Sequence, residues 1–228
     1  MSTIAENIAK VGERIREAAQ ASGRDLDSIG LLAVSKTKPS AAVREAFAAG
    51  LRDFGENYLQ EALEKQVELS DLPLIWHFIG PIQSNKTKPI AEHFAWVHSV
   101  DRLKVEKRLS EQRPVSLPPL NICLQVNVSL EPSKSGCAPD ELTALALAVS
   151  QLPNLCLRGL MAIPEPTDDV AAQRAAFARL RELRDGLPMP LDTLSMGMSH
   201  DLDAAIAEGA TWVRIGTALF GARDYPSA

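Results

Sequence analysis

The sequence is 228 residues long, 46% hydrophobic and 23% charged, with a formal net charge of −5. That apolar content, with charges of both signs interspersed, excludes a disordered chain, and the acidic balance argues against a general binder of nucleic acid or of a membrane surface, which needs a basic face. No apolar run approaches the roughly 18 residues of a membrane span, residues 1–7 lack the basic start and apolar core of a signal peptide, and the three cysteines (Cys123, Cys137, Cys156) read as reduced thiols of a cytoplasmic protein.

In chain order, a helix is expected over about 2–22. From residue 29 a rhythm of short apolar strand, polar or glycine-bearing turn and Ala/Leu/Glu/Arg-rich helix runs to the end. Strands are expected at 29–35, 52–55, 74–80, 95–99, 120–128, 156–161, 193–196 and 211–215. Several are continuous apolar runs, as strands buried on both faces should be. The helices between them start near Ser40, Asn57, Asn85, Asp101, Pro139, Asp168 and Asp201. Ser, Asn and Asp are good N-caps, and Pro suits a first helical position. Alternating strands and helices imply parallel strands joined by right-handed crossovers. Eight strands in 228 residues match a single closed (β/α)₈ TIM barrel over residues 1–228, with an extra N-terminal helix; such barrels run from about 200 residues upward. An open doubly wound sheet is the alternative.

The chemistry is expected at the C-terminal ends of the strands, where (β/α)₈ barrels carry function. Lys36 closes the first strand in the run Ala33-Val34-Ser35-Lys36. A partly desolvated lysine can become a neutral amine and form a Schiff base with an aldehyde; a strand-capping lysine that reaches solvent is the plainer reading. Lys38, two residues on, is expected to point to solvent or supply local positive charge. Ser199 follows the seventh strand, and Arg214-Ile215-Gly216-Thr217 ends the eighth. Small and hydroxyl residues in these two loops suit a phosphate. Two ordinary glycine turns are the alternative reading of these loops; with a phosphate bound there beside Lys36, a ligand bearing both phosphate and aldehyde fits, and pyridoxal 5′-phosphate (PLP) has both. His77, inside the third strand, either stacks on or donates to a planar ring or is a satisfied core histidine. Asn57, after the second strand, is an N-cap whose amide is also able to touch a ligand. Lys134 and Gly136 fall in the loop after the fifth strand. Met161, Met196 and Met198 lie near strand ends, in a pocket wall or in the core. The four histidines show no metal-ligand spacing.

The runs Ala33–Lys36, Phe54-Gly55-Glu56-Asn57-Tyr58, Trp76-His77-Phe78-Ile79-Gly80, Ser133-Lys134-Ser135-Gly136, 158–164, 194–199 and 213–221 together resemble the YggS/PROSC family of pyridoxal phosphate homeostasis proteins. They span the chain in the family's order. The resemblance implies a barrel like the N-terminal domain of alanine racemases (PLP fold type III), with PLP held as a covalent aldimine on Lys36. A more distant likeness to the racemases implies that Arg214 faces the pyridine nitrogen and that Ser199, Gly216 and Thr217 meet the phosphate. Arginine stays protonated and donates, so the ring nitrogen is held unprotonated, which makes a poorer electron sink. The racemases add a β-domain with a tyrosine that acts as a second base. Here Tyr58 and Tyr225 are the only tyrosines, and neither obviously stands opposite Lys36.

The expected function is therefore intracellular PLP homeostasis: the cofactor is carried without marked catalysis by a cytoplasmic monomer, with PLP-dependent apo-enzymes as recipients. Two rivals are a PLP-dependent racemase or lyase using His77 or Tyr58 as its second acid/base, and a cofactor-free Schiff-base enzyme acting on a sugar phosphate.

Overall fold

The computed structural model describes residues 2–129 and 135–222; Lys134 and Tyr225 lie outside them. Eight parallel strands close into one barrel in sequence order: β1 (Gly30–Val34), β2 (Asp53–Glu56), β3 (Ile75–Phe78), β4 (Trp96–Val100), β5 (Leu120–Gln125), β6 (Leu155–Met161), β7 (Thr193–Ser195) and β8 (Trp212–Ile215). The doubly wound alternative is excluded because β1 pairs with β8 along Gly30↔Trp212 to Ala33↔Ile215 as well as with β2. Between the strands run α2 (Ser40–Ala48), α3 (Leu59–Glu68), α4 (Thr87–His93), α5 (Leu103–Gln112), α6 (Leu142–Ser150), α7 (Val170–Asp185) and α8 (Leu202–Ala207). Helix α1 (Ile4–Ala21) precedes the barrel and the short α9 (Thr217–Phe220) follows β8.

Strand alternation divides the side chains into two layers. One set packs outward against the helices, where Phe54, Phe78, Phe94, Ile90, Leu109, Leu160 and Phe177 are fully buried. The other set points into the barrel and is aromatic and polar. His77 stacks on Trp96 with ring planes 2° apart, Trp212 meets both edge-on, and the Arg158 guanidinium lies 5.0 Å from the Trp96 ring centre. Two of the three tryptophans thus stand on the barrel axis, while the phenylalanines named above fill the layer between strands and helices.

The expected helix caps are largely corrected. Helix α3 starts after Tyr58, α5 after Arg102 and α6 after Glu141, and none of these makes a side-chain cap bond. A short 3₁₀ turn (Ser84–Lys86) precedes α4. Asp169, one residue beyond Asp168, does cap α7, accepting from the Ala171 and Ala172 amides. The loops here are set by tertiary contacts, so Asn57 stays in the loop above β2. The three cysteines are free thiols. No described helix is long and apolar enough to cross a membrane.

Glu106 of α5 is buried, and neither carboxylate oxygen has a hydrogen-bond partner. Burial raises its pKa to about 7. The folded chain therefore binds this proton more tightly than the unfolded chain, and its stability falls as pH rises from the ordinary carboxyl range through 7. Glu106→Gln is expected to match the wild type near pH 4 and to exceed it by roughly 1–3 kcal/mol at pH 8. Denaturant melts at the two pH values check this; an equal difference at both would contradict it.

Candidate functional site

The C-terminal mouth of the barrel holds a cavity of about 260 Å³. Its lining joins β1 and its loop (Val34, Lys36, Lys38) to Asn57, Ile79 and Ile163 from intervening loops, and to Met198, Ser199, His200, Arg214, Gly216 and Thr217 from the β7 and β8 ends. Six of the seven residues expected at the site meet here: Lys36, Asn57, Ser199, Arg214, Gly216 and Thr217. Lys38 also lines the cavity, and its Nζ donates to the Ala222 carbonyl at 2.5 Å. A larger groove, about 910 Å³, lies at the opposite end between residues 156–158 and 184–192. It is crossed by the Arg158–Asp192 ion pair and is remote from the strand ends that carry Lys36 and Arg214.

Several local devices shape the mouth. Gly80 lets the end of β3 pass under Asn57, since a Cβ there would lie 2.1 Å from the Asn57 carbonyl oxygen. The Asn57 Oδ1 is buried without a hydrogen-bond partner, so it presents an open acceptor. Gly197 turns the chain after β7 at φ 91°, and a Cβ would lie 2.5 Å from that of Ala205. Its carbonyl accepts from the Arg214 amide at 2.9 Å, tying the Ser199 loop to β8. Gly197→Ala is expected to cost roughly 1–3 kcal/mol of stability and to weaken inorganic phosphate binding, as read by thermal melts and calorimetric titration.

The N-terminal helix turns out to buttress the site. Arg14 of α1 donates to the Ser199 carbonyl at 2.6 Å and pairs with Asp203, and Asn7 donates to the Leu219 carbonyl at 2.9 Å. Both loops that carry the small and hydroxyl residues therefore rest on α1. Nothing in the local pattern of Arg14 or Asn7 marks them, because their partners lie far along the chain.

Arg214 is buried, with its Nη1 donating to the Ser195 hydroxyl at 2.8 Å and its Nη2 to the Ala162 carbonyl at 2.9 Å. Burial lowers its pKa to about 10, which leaves it a cation at neutral pH. Around Lys36 the backbone is clamped from behind. Lys65 of α3 donates to the Ser35 carbonyl at 2.7 Å, to Glu56 Oε1 at 2.8 Å and to Glu61 Oε1 at 2.5 Å. Thr37, at φ 64°, donates its amide to the same Glu61 oxygen at 2.6 Å.

His77 is the correction. It does not line the cavity; it is fully buried on the barrel axis, with Nδ1 2.9 Å from His98 Nε2 and Nε2 3.0 Å from Asp53 Oδ1. Its strand position points it inward, but below the mouth. Tyr58 does not line the cavity either: it caps α3 and is half exposed in a neighbouring depression. Met161 and Met196 are core residues, whereas Met198 is in the cavity wall. No group of His, Cys, Asp and Glu able to hold a metal occurs among the described residues.

The donor set fits PLP. Two lysines, Lys36 and Lys38, and one buried guanidinium line a single cavity with the Ser199 and Gly216–Thr217 loops, and Asn57 offers an unpaired acceptor. Comparison with known proteins points the same way. The family model described as "Alanine racemase, N-terminal domain" matches residues 3–224. The "Pyridoxal phosphate homeostasis protein" of Pseudomonas aeruginosa (strain PAO1) is 81% identical over 225 residues, covering 99% of this chain and 98% of that one. Its namesake in Escherichia coli K12 is 52% identical over 231 residues, covering 99% of each. PipY of Synechococcus elongatus PCC7942, solved with PLP bound, is 44% identical with a TM-score of 0.83, covering 96% of this chain and 100% of that one. The alanine racemase of Corynebacterium glutamicum shares the fold at 18% identity and a TM-score of 0.68, this chain covering 61% of it. On the family match and these relatives, the chain belongs to the pyridoxal phosphate homeostasis proteins, a family built on the alanine racemase N-terminal domain.

Proposed function

We propose that this chain binds PLP as an aldimine on Lys36 and buffers and delivers it without marked turnover. The observation that carries the reading is the convergence of Lys36, Arg214, Ser199, Gly216 and Thr217 on one cavity, in a chain 44% identical to a protein solved with PLP bound. When bound, the cofactor supplies a reactive aldehyde and an electron-accepting ring.

The chain's own residues have distinct tasks. Lys36 is the amine that reacts with the aldehyde. Ser199, Gly216 and Thr217 hold the phosphate. Arg214 donates to the pyridine nitrogen; as a cation with no proton to spare at neutral pH, it keeps that nitrogen unprotonated. That weakens the electron sink on which turnover of amino acids relies. A racemase also needs a second acid/base within reach of the reacting carbon, and neither of the two expected candidates, Tyr58 and His77, lines the cavity. The working form is a cytoplasmic monomer that gives up PLP by hydrolysis or by exchange with another amine, so PLP-requiring apo-enzymes are its natural recipients.

Borohydride reduction of the PLP-loaded protein followed by peptide mapping tests the attachment. Label on Lys36 supports the reading, and label on any other lysine of the wild type overturns it. Solvent-deuterium exchange at Cα across a panel of amino acids tests the carrier role. Exchange at turnover rates, abolished by Lys36→Ala, would make the protein an enzyme instead.

A further inference from the structure

A line of hydrogen bonds runs through the barrel from floor to mouth. Asp53, at the start of β2, has a partly exposed side chain, whereas His77, His98, Ser195 and Arg214 are all buried. The contacts are His77 Nε2 to Asp53 Oδ1 at 3.0 Å, His77 Nδ1 to His98 Nε2 at 2.9 Å, His98 Nδ1 to Ser195 Oγ at 2.7 Å and Arg214 Nη1 to Ser195 Oγ at 2.8 Å. The two ends are chemically one-sided. A guanidinium only donates and a carboxylate only accepts. With both imidazoles neutral, a single assignment then satisfies every atom. Arg214 donates to Ser195, the Ser195 hydroxyl to His98 Nδ1, His98 Nε2–H to His77 Nδ1, and His77 Nε2–H to Asp53.

We propose that Ser195, His98, His77 and Asp53 are positioning residues for Arg214, fixing the plane of its guanidinium toward the ligand's ring nitrogen. This rests on Arg214 meeting that nitrogen, as proposed above. Burial depresses the basicity of both imidazoles, in keeping with the neutral pair. His77 is locked further by its stacking on Trp96, so the rings cannot turn to exchange donor and acceptor. The remaining Arg214 bond, to the Ala162 carbonyl, leaves the guanidinium one pivot; the Ser195 bond removes it. Hydrogen bonds to a charged group are among the stronger ones, and neighbours in a low-dielectric line polarise one another.

Two measurements test this. In the ligand-free protein, side-chain ¹⁵N NMR should show both His77 and His98 as neutral Nε2–H tautomers. Arg214 should give separate, slowly exchanging Nη signals that merge in Ser195→Ala and return in Ser195→Thr, which keeps the hydroxyl. In the PLP-loaded protein, Ser195→Ala should shift the visible absorption band and speed PLP release by about tenfold, with Ser195→Thr near the wild type in both. An Nδ1–H or charged ring, or an Arg214 as fixed in Ser195→Ala as in the wild type, overturns the proposal. So does a loaded Ser195→Ala protein that matches the wild type in band and release. If borohydride leaves no label on Lys36 of the wild type, the carrier reading fails separately, and the NMR measurement alone decides the positioning chain.

Discussion

Lys36→Ala is expected to lose the visible band of the PLP-loaded protein and nearly all of its borohydride-fixed label. Lys36 follows Val34 on the inward-facing side of β1, and both line the cavity. No other lysine except Lys38 does so among the described residues, and the Lys38 amine already donates to the Ala222 carbonyl. Any residual label in Lys36→Ala should therefore map to Lys38, and Lys36→Ala/Lys38→Ala should carry none. Lys36→Ala is expected still to bind inorganic phosphate, because the loops carrying Ser199, Gly216 and Thr217 rest on α1 and β8. Calorimetric titration with phosphate and absorption spectra with PLP separate the two halves of the site. Wild-type spectra from Lys36→Ala would refute the assignment of the amine.

The barrel was legible because its cause is local. Several strands are short apolar runs, helices with buried faces lie between them, and the alternation leaves few topologies. The mouth was legible in part for a related reason: a barrel carries its chemistry beyond the strand ends, which singles out Lys36 and the Ser199 and Gly216 loops, whereas their roles came from the family resemblance. His77 shows where this stops. Strand alternation gives its direction but not its depth, and its partners Asp53 and His98 come from the neighbouring strands β2 and β4. Ser195, 97 positions from His98, completes the line, and no spacing rule in one strand reports it. The helix caps failed differently: Asn57 is a good cap by type but lines the mouth, and Asp201, which does stand at the N-cap of α8, turns its carboxylate back to accept from the Met198 amide at 2.6 Å instead of capping forward. The same limit hid the cluster behind Lys36, where Lys65 and Glu56 read as ordinary surface charges until α3 is packed on β2.

Lys65→Met tests that cluster and should destabilise the fold by about 3–5 kcal/mol, as expected when one member of a buried ion pair is removed. Glu56 is fully buried, Lys65 is 6% exposed, and one Glu56 oxygen already lacks a partner. Burial raises the Glu56 pKa even with Lys65 beside it, and Lys65 and the Ser35 hydroxyl pull it back. Without Lys65 the carboxyl would rise further, so the folded state would hold its proton more tightly than the unfolded one. The loss should accordingly be larger at pH 8, where Glu56 must ionise in the core, than at pH 5, where it stays protonated. Glu56→Gln in the Lys65→Met background should recover part of the stability at pH 8 and little at pH 5, because it removes the stranded charge. A function readout accompanies the stability one. Lys65 and Glu61 hold the Ser35 carbonyl and the Thr37 amide on either side of Lys36, so a loosened cluster should slow formation of the Lys36–PLP adduct while leaving phosphate binding alone. Denaturant titrations at the two pH values and the rate of appearance of the visible band check both parts; a loss below about 1 kcal/mol, typical of an exposed pair, would show that the cluster does not act as a buried one.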